Sequence, residues 1–260
     1  MTVHKSQHGF TIPELLVVMV LTLFFTTLIM SFTFDVWGQA GVLQNSSDMM
    51  VTRQNLGDTL RNRLNAASSL MNQNSIPDTH TQVPDTTDAT GTSWQELHAV
   101  PQTIPLPAAN NFTPVLYYEA PTITTAKAFA MRGESPYQDE FVLYLDGSHK
   151  TLMLRTLANP SVSGNSVKTS CPAAAVTTTC PKDRTLAEDV SYVSTKYFSK
   201  SGNELNWHSV IDPLDGKYMG PDFGDVEVVE LTIGLKKRAI IKGTATGETR
   251  TTIRVALRNG

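Results

Sequence analysis

Between Gly9 and Phe34 the chain reads GFTIPELLVVMVLTLFFTTLIMSFTF, and its last twenty residues, Leu15 to Phe34, carry no charge. At about 1.5 Å rise per residue, such a run spans about 30 Å, the hydrocarbon thickness of a bilayer. Its polar members are threonine and serine, whose hydroxyls bond back to a helix backbone. Asp35 closes the run, and Trp37 stands where an interfacial aromatic belongs. The stretch therefore reads as one membrane-spanning helix. A buried core helix is rarely apolar on every side for so long. A cleavable secretory signal has a shorter apolar region with a small-residue cleavage site after it, and Trp37-Gly38-Gln39-Ala40-Gly41 makes a poor one. A plain signal anchor stays open on these residues alone.

The junction Gly9-Phe10-Thr11-Ile12-Pro13-Glu14-Leu15 holds more than an anchor needs. Glu14 abuts the apolar run, where a carboxylate buried alone costs several kcal/mol, so it reads as functional. Capping of the helix N-terminus through its dipole is the simpler alternative. Pro13 fits a first helical turn, where a missing N–H is no loss. Upstream lies a short polar leader, Met1 to Gly9, with Lys5 and two histidines.

This block resembles the class III signal of type IV pilins and type II secretion pseudopilins. The resemblance rests on Gly9, Phe10, Thr11, Glu14 and the apolar run, about thirty residues of the chain. It implies cleavage by prepilin peptidase after Gly9 and N-methylation of Phe10. Glu14 is then the family's fifth mature residue, and 251 residues remain after the nine-residue leader is lost. It further implies that Glu14 meets the α-amine of a neighbour's Phe10 when helices pack away from water, where opposite charges attract strongly. The implied partners are prepilin peptidase, other major and minor pilins, the pilus assembly platform, and the membrane through a single helix. The implied location is the cytoplasmic membrane first, as a single-pass protein, and then an extracellular or periplasmic filament.

The whole chain has 260 residues, 40% hydrophobic and 17% charged, with net charge −3. That is long enough to bury a core, too hydrophobic for disorder, and too near neutral to mark a nucleic-acid binder overall. Two cysteines exclude a disulfide-dense miniprotein and a cysteine-based cluster. Beyond the membrane, Leu56, Leu60, Leu64, Ala67 and Met71 form an amphipathic stripe that continues the helix to about residue 75. Residues 76–125 hold half of the prolines and many threonines and read as a long loop. From residue 126 to the end the pattern is that of strands. Phe141–Leu145 with Thr151–Leu157 reads as one hairpin, Val190–Phe198 with Glu204–His208 as a second, and Val226–Lys236 with Thr249–Leu257 as a third. The expected fold is α+β and pilin-like: a long N-terminal helix, membrane-spanning at residues 10–34 and amphipathic at 35–75, packed on a C-terminal antiparallel sheet.

Other constellations are fewer. Cys171 and Cys180 have a spacing suited to a disulfide in an exported domain, and no histidine near them in sequence suggests a metal pair. Asp212, Asp215, Asp222 and Asp225 cluster around glycines as weak calcium candidates, but Asp-Pro and Asp-Gly are ordinary turn formers. Lys236, Lys237, Arg238 and Lys242 would sit on a hairpin tip, where solvated strand ends explain them as well as contact with DNA or an acidic partner. Six histidines without metal spacing, and the lack of nucleotide-binding or nucleophile-elbow motifs, argue against an enzyme and imply no cofactor. The reading is a minor pilin-like subunit that primes assembly or lies near a filament tip. Its size and Glu14 place it beside the PilW and pseudopilin J types, beneath the K-type cap that often lacks the glutamate. The alternatives are a membrane-anchored adhesin that never polymerises, a competence-pilus subunit touching DNA, and, third, a membrane-tethered enzyme.

Overall fold

The computed structural model describes residues 11–80, 91–108, 111–205, 220–236 and 248–257. One helix, α1 (Ile12–Asn65), starts just after Thr11. Its first part, Ile12–Ala40, is long and apolar enough to cross a membrane, and none of that surface is buried within the protein. At 1.5 Å per residue its 29 residues reach about 43 Å, enough for the hydrocarbon core and part of both interfaces. Thr22, Thr26, Thr27 and Thr33 each donate a hydroxyl hydrogen bond to the carbonyl one turn earlier, at Val18, Thr22, Leu23 and Ile29.

The globular unit begins within the helix, at Met49. Leu56, Leu60 and Leu64 are buried there, so the amphipathic stripe does face a core. The helix stops at Asn65, ten residues short of the expected end. Ala66 and Ala67 donate i→i−3 bonds to Arg63 and Leu64 in a tightened last turn, and Ser68 donates to the Glu119 carbonyl. The chain then enters strand β1 (Ser69–Met71), which pairs with β3. Ala67 and Met71 kept the helical spacing, but strand pairing gives the Ser68–Met71 backbone partners that a helix would forgo.

Ten further strands follow: β2 (Gln102–Pro105), β3 (Phe112–Pro121), β4 (Met131–Arg132), β5 (Ser135–Pro136), β6 (Gln138–Asp146), β7 (Thr151–Leu157), β8 (Arg184–Ala187), β9 (Val190–Phe198), β10 (Val228–Lys236) and β11 (Glu248–Ala256). They form not one antiparallel sheet but a five-stranded one, β1-β3-β6-β7-β8, a four-stranded one, β11-β10-β9-β2, and a β4-β5 ribbon. The β6-β7 hairpin and the β10-β11 pair lie where alternation predicted them. Val229, Leu231, Ile233 and Leu235 are buried opposite Val255, Ile253, Thr251 and Thr249. The second expected hairpin is reduced to strand β9 and a single bridge, Phe198 to Glu204; its residues 206–208 lie outside the described ones.

The 76–125 segment is not a plain loop, for it supplies β2 and β3, an inner strand of the five-stranded sheet. The prolines within these two strands stand where a strand tolerates them: Pro105 ends the edge strand β2, Pro114 sits at a bulge against β6, and Pro121 is the last residue of β3. Strand β6 is buried along almost all its length, as expected when both faces of a sheet are covered. On one face Tyr118 stacks on Phe141 at 5.0 Å between ring centroids, and the Arg63 guanidinium of α1 lies 5.8 Å from the Phe141 ring. On the other face are Tyr117, Val142 and Arg155, which are register partners. Residues 72–80 and 91–99 cover that face. They are laced together by Asp78 N–H to Thr92 O, Leu97 N–H to Asn72 O and Trp94 N–H to Asn74 Oδ1, each 2.8 Å.

Candidate functional site

Glu14 is placed by the start of α1. Its Oε2 accepts from the Thr11 backbone N–H at 2.9 Å and from the Thr11 hydroxyl at 2.8 Å, while Leu15 N–H bonds the Thr11 carbonyl. Thr11 is thus the N-cap and Glu14 the third helical residue reaching back to it, one half of a capping box. In the single chain Glu14 therefore performs the capping task. The same geometry leaves its other oxygen, Oε1, without a hydrogen bond among the described residues and fixes the carboxylate at the mouth of the apolar run. Gly9 and Phe10, the cleavage and methylation residues of the sequence reading, lie outside the described residues.

A second cluster is deep in the globular unit and was not foreseen. Arg155 on β7 and the carboxylates of Asp78 and Asp183 have side chains no more than 1% exposed. The guanidinium donates to Asp183 Oδ2 from Nη2 at 2.6 Å, to Asp78 Oδ2 from Nη1 at 2.7 Å, and to the His80 carbonyl at 3.0 Å. Asp183 also accepts from the Tyr144 hydroxyl at 2.7 Å and from Ser170 Oγ at 2.6 Å, and Asp78 from the Trp94 indole at 2.8 Å. The Arg155 guanidinium lies 5.4 Å from the Trp94 ring and 5.7 Å from Tyr144. Burial works against its charge, but hydrogen bonding and attraction by Asp183, then by Asp78, outweigh this and raise its pKa. Burial, and then the charge of Asp183, hold the Tyr144 hydroxyl well above the usual tyrosine range. Because these groups are spent on one another, the cluster fastens the cover made by residues 72–80 and 91–99 to the sheet instead of presenting a reactive group.

Cys171 and Cys180 are joined by a disulfide with a Cα–Cα distance of 5.6 Å. The loop is tied to the cluster: Cys171 N–H bonds Pro181 O and Asp183 N–H bonds Cys171 O, both 2.8 Å. His80 comes to the same place. Its ring and the two sulfurs offer atoms that all lie within 4.8 Å of one another, a grouping hidden in the sequence because His80 is remote from both cysteines. Asp222 caps a short 3-10 turn, Phe223–Asp225, accepting from Phe223 N–H at 2.6 Å. Asp222 and Asp225 therefore belong to a turn, and Asp212 and Asp215 lie outside the described residues. So do Lys237, Arg238 and Lys242; Lys236 ends β10 and is exposed.

A family model described as the prokaryotic N-terminal methylation motif matches residues 4–30. No curated protein and no solved structure matches the chain. The matched residues cover the polar leader from His4 on, the capped Glu14 and most of the apolar span. That motif implies processing by prepilin peptidase, membrane anchoring through the helix, and pilin-family partners. On residues 4–30 the chain thus carries the N-terminal signature of type IV pilin-like subunits, set on the apolar helix through which such subunits are anchored before they enter a filament.

Proposed function

We propose that this chain is a minor pilin-like subunit of a type IV pilus or related filament, placed near the tip or priming assembly, and that it is structural and not an enzyme. The observation that carries the reading is the methylation motif running directly into an uncovered apolar helix. Prepilin peptidase cuts after Gly9, the new α-amine of Phe10 is methylated, and the helix packs among those of other subunits. Glu14 then exchanges its hydrogen bonds to Thr11 for a neighbour's α-amine, which sets register. The large globular unit, with both faces of its five-stranded sheet covered, supports a specialised subunit of the PilW or pseudopilin J kind.

The intact mass and N-terminal residue of the membrane-extracted protein test the processing step. A chain beginning at methylated Phe10 supports the reading; one that keeps Met1–Gly9 in a cell with active prepilin peptidase overturns it in favour of an anchored surface protein. Glu14→Ala tests the assembly step. The variant should insert in the membrane normally yet be depleted at least tenfold from sheared filaments, and wild-type recovery there would refute the role assigned to Glu14.

A further inference from the structure

We propose that Cys171, Cys180 and His80 form a binding site for a thiophilic divalent cation such as Zn2+ when the disulfide is open. The three donors already lie within 4.8 Å of one another. In a tetrahedral zinc site, bonds of about 2.3 Å to sulfur and 2.0 Å to nitrogen put ligand atoms about 3.5–3.8 Å apart. The observed grouping therefore needs only side-chain rotations once the sulfurs separate.

The backbones that carry these donors are held independently of the S–S bond. Cys171 pairs with Lys182 through the bonds to Pro181 and Asp183. Cys180 N–H donates to Thr177 Oγ1 at 3.0 Å, and Thr177 N–H to Cys180 O at 3.0 Å. His80 is gripped from both sides, its N–H on Asp78 Oδ1 at 2.9 Å and its carbonyl on Arg155 Nη1 at 3.0 Å. Opening the disulfide thus leaves a preorganised Cys2His set, with a fourth position for water. This is the arrangement in which zinc binds tightly at little ordering cost.

The chemistry balances simply. A phosphine reductant supplies two electrons to the S–S bond and leaves as the phosphine oxide, its oxygen taken from water, and the sulfurs become two thiols. Zn2+ then displaces two thiol protons to solvent and takes the neutral imidazole nitrogen. Metal and disulfide are mutually exclusive, so the loop can hold a cation only while both thiols stay reduced.

The test is a Co2+ titration of the full chain in detergent, phosphine-reduced and anaerobic, read by the sulfur-to-cobalt charge-transfer band and the tetrahedral d–d bands. These bands separate the site from stray histidine binding. One Co2+ per reduced chain, displaced by Zn2+, is expected, with no such bands from the oxidised chain. His80→Ala should weaken Co2+ binding at least tenfold and alter the d–d bands. A second readout guards against misfolding of that variant: Zn2+ should slow alkylation of the thiols in the reduced wild-type chain. No thiolate–cobalt band in the reduced wild-type chain, no protection of its thiols by Zn2+, or unchanged affinity in a His80→Ala variant that keeps the wild-type near-UV spectrum, would each overturn the proposal.

Discussion

Replacing Arg155 by Met keeps nearly the same volume on β7 but removes the cation that, among the described residues, pairs with Asp78 and Asp183. Both carboxylates are fully buried, and the guanidinium gives them charge-assisted bonds of 2.6 and 2.7 Å. Losing one partner of a buried ion pair costs about 3–5 kcal/mol, because the remaining charge is neither hydrated nor compensated. Here two charges are orphaned, so the upper half of that range is expected, against a whole-domain stability of about 5–15 kcal/mol. Arg61→Met is the control. Its partner Asp58 is 3.7 Å away and both side chains are more than half exposed, so the loss should stay within about 0.5 kcal/mol. The assay is urea unfolding of the detergent-solubilised chain followed by near-UV circular dichroism, to which the buried Trp94 contributes. Adding Asp183→Asn to Arg155→Met should recover part of the loss, since it removes one orphaned charge. A loss below about 1 kcal/mol for Arg155→Met, or no recovery in the double variant, would refute the claim that charge compensation holds the cover down.

Two further expectations concern stability. The Cys171–Cys180 bridge closes a loop of sequence separation 9, worth about 2–3 kcal/mol by chain entropy; reduction should speed proteolysis at 172–179 and leave the membrane helix intact, and equal cleavage with and without reductant would contradict this. Burial raises the hydroxyl pKa of Tyr118, Tyr144 and Tyr197, the last to about 12. Because the folded values exceed the unfolded value of about 10, their contribution is intact below pH 10 and is lost as pH rises towards the folded values, by about 1.4 kcal/mol per pH unit for each tyrosine. Urea midpoints should fall steeply between pH 10 and 12 and less steeply in Tyr197→Phe; equal slopes would refute the assignment for that residue.

How much of this was legible depends on the local signal each residue carried. The span was plain because Leu15–Phe34 is apolar on every side. The β6-β7 and β10-β11 pairings were plain because inward residues alternate, as in Val229, Leu231, Ile233 and Leu235. The helix end was misread because Ala67 and Met71 keep the leucine spacing while their backbones leave for a strand. Strand β3 was hidden by Pro114 and Pro121, which a bulge and a strand end accommodate. Arg155 drew no reading of its own within the strand Thr151–Leu157, and its partners Asp78 and Asp183 lie far away in sequence, with Asp78 in a Pro/Thr-rich tract. No local periodicity encodes a cluster whose members meet only after the cover folds onto the sheet. Glu14, by contrast, announced itself as a carboxylate beside twenty apolar residues, and the simpler alternative, capping of the helix N-terminus, is the role its bonds to Thr11 show in the single chain.

The four threonines of the apolar span turn their hydroxyls inward to their own carbonyls. A helix so arranged acts as a bearing: through these groups it offers a neighbour no directional grip, and rotating or sliding it breaks no hydrogen bond of theirs. Within a bundle of like helices the resistance to such motion would come from side-chain packing and not from these hydroxyls. Polar contacts that fix azimuth or axial position must then come from elsewhere than these threonines, and twisting or stretching a bundle of such shafts shears no polar contact at these positions.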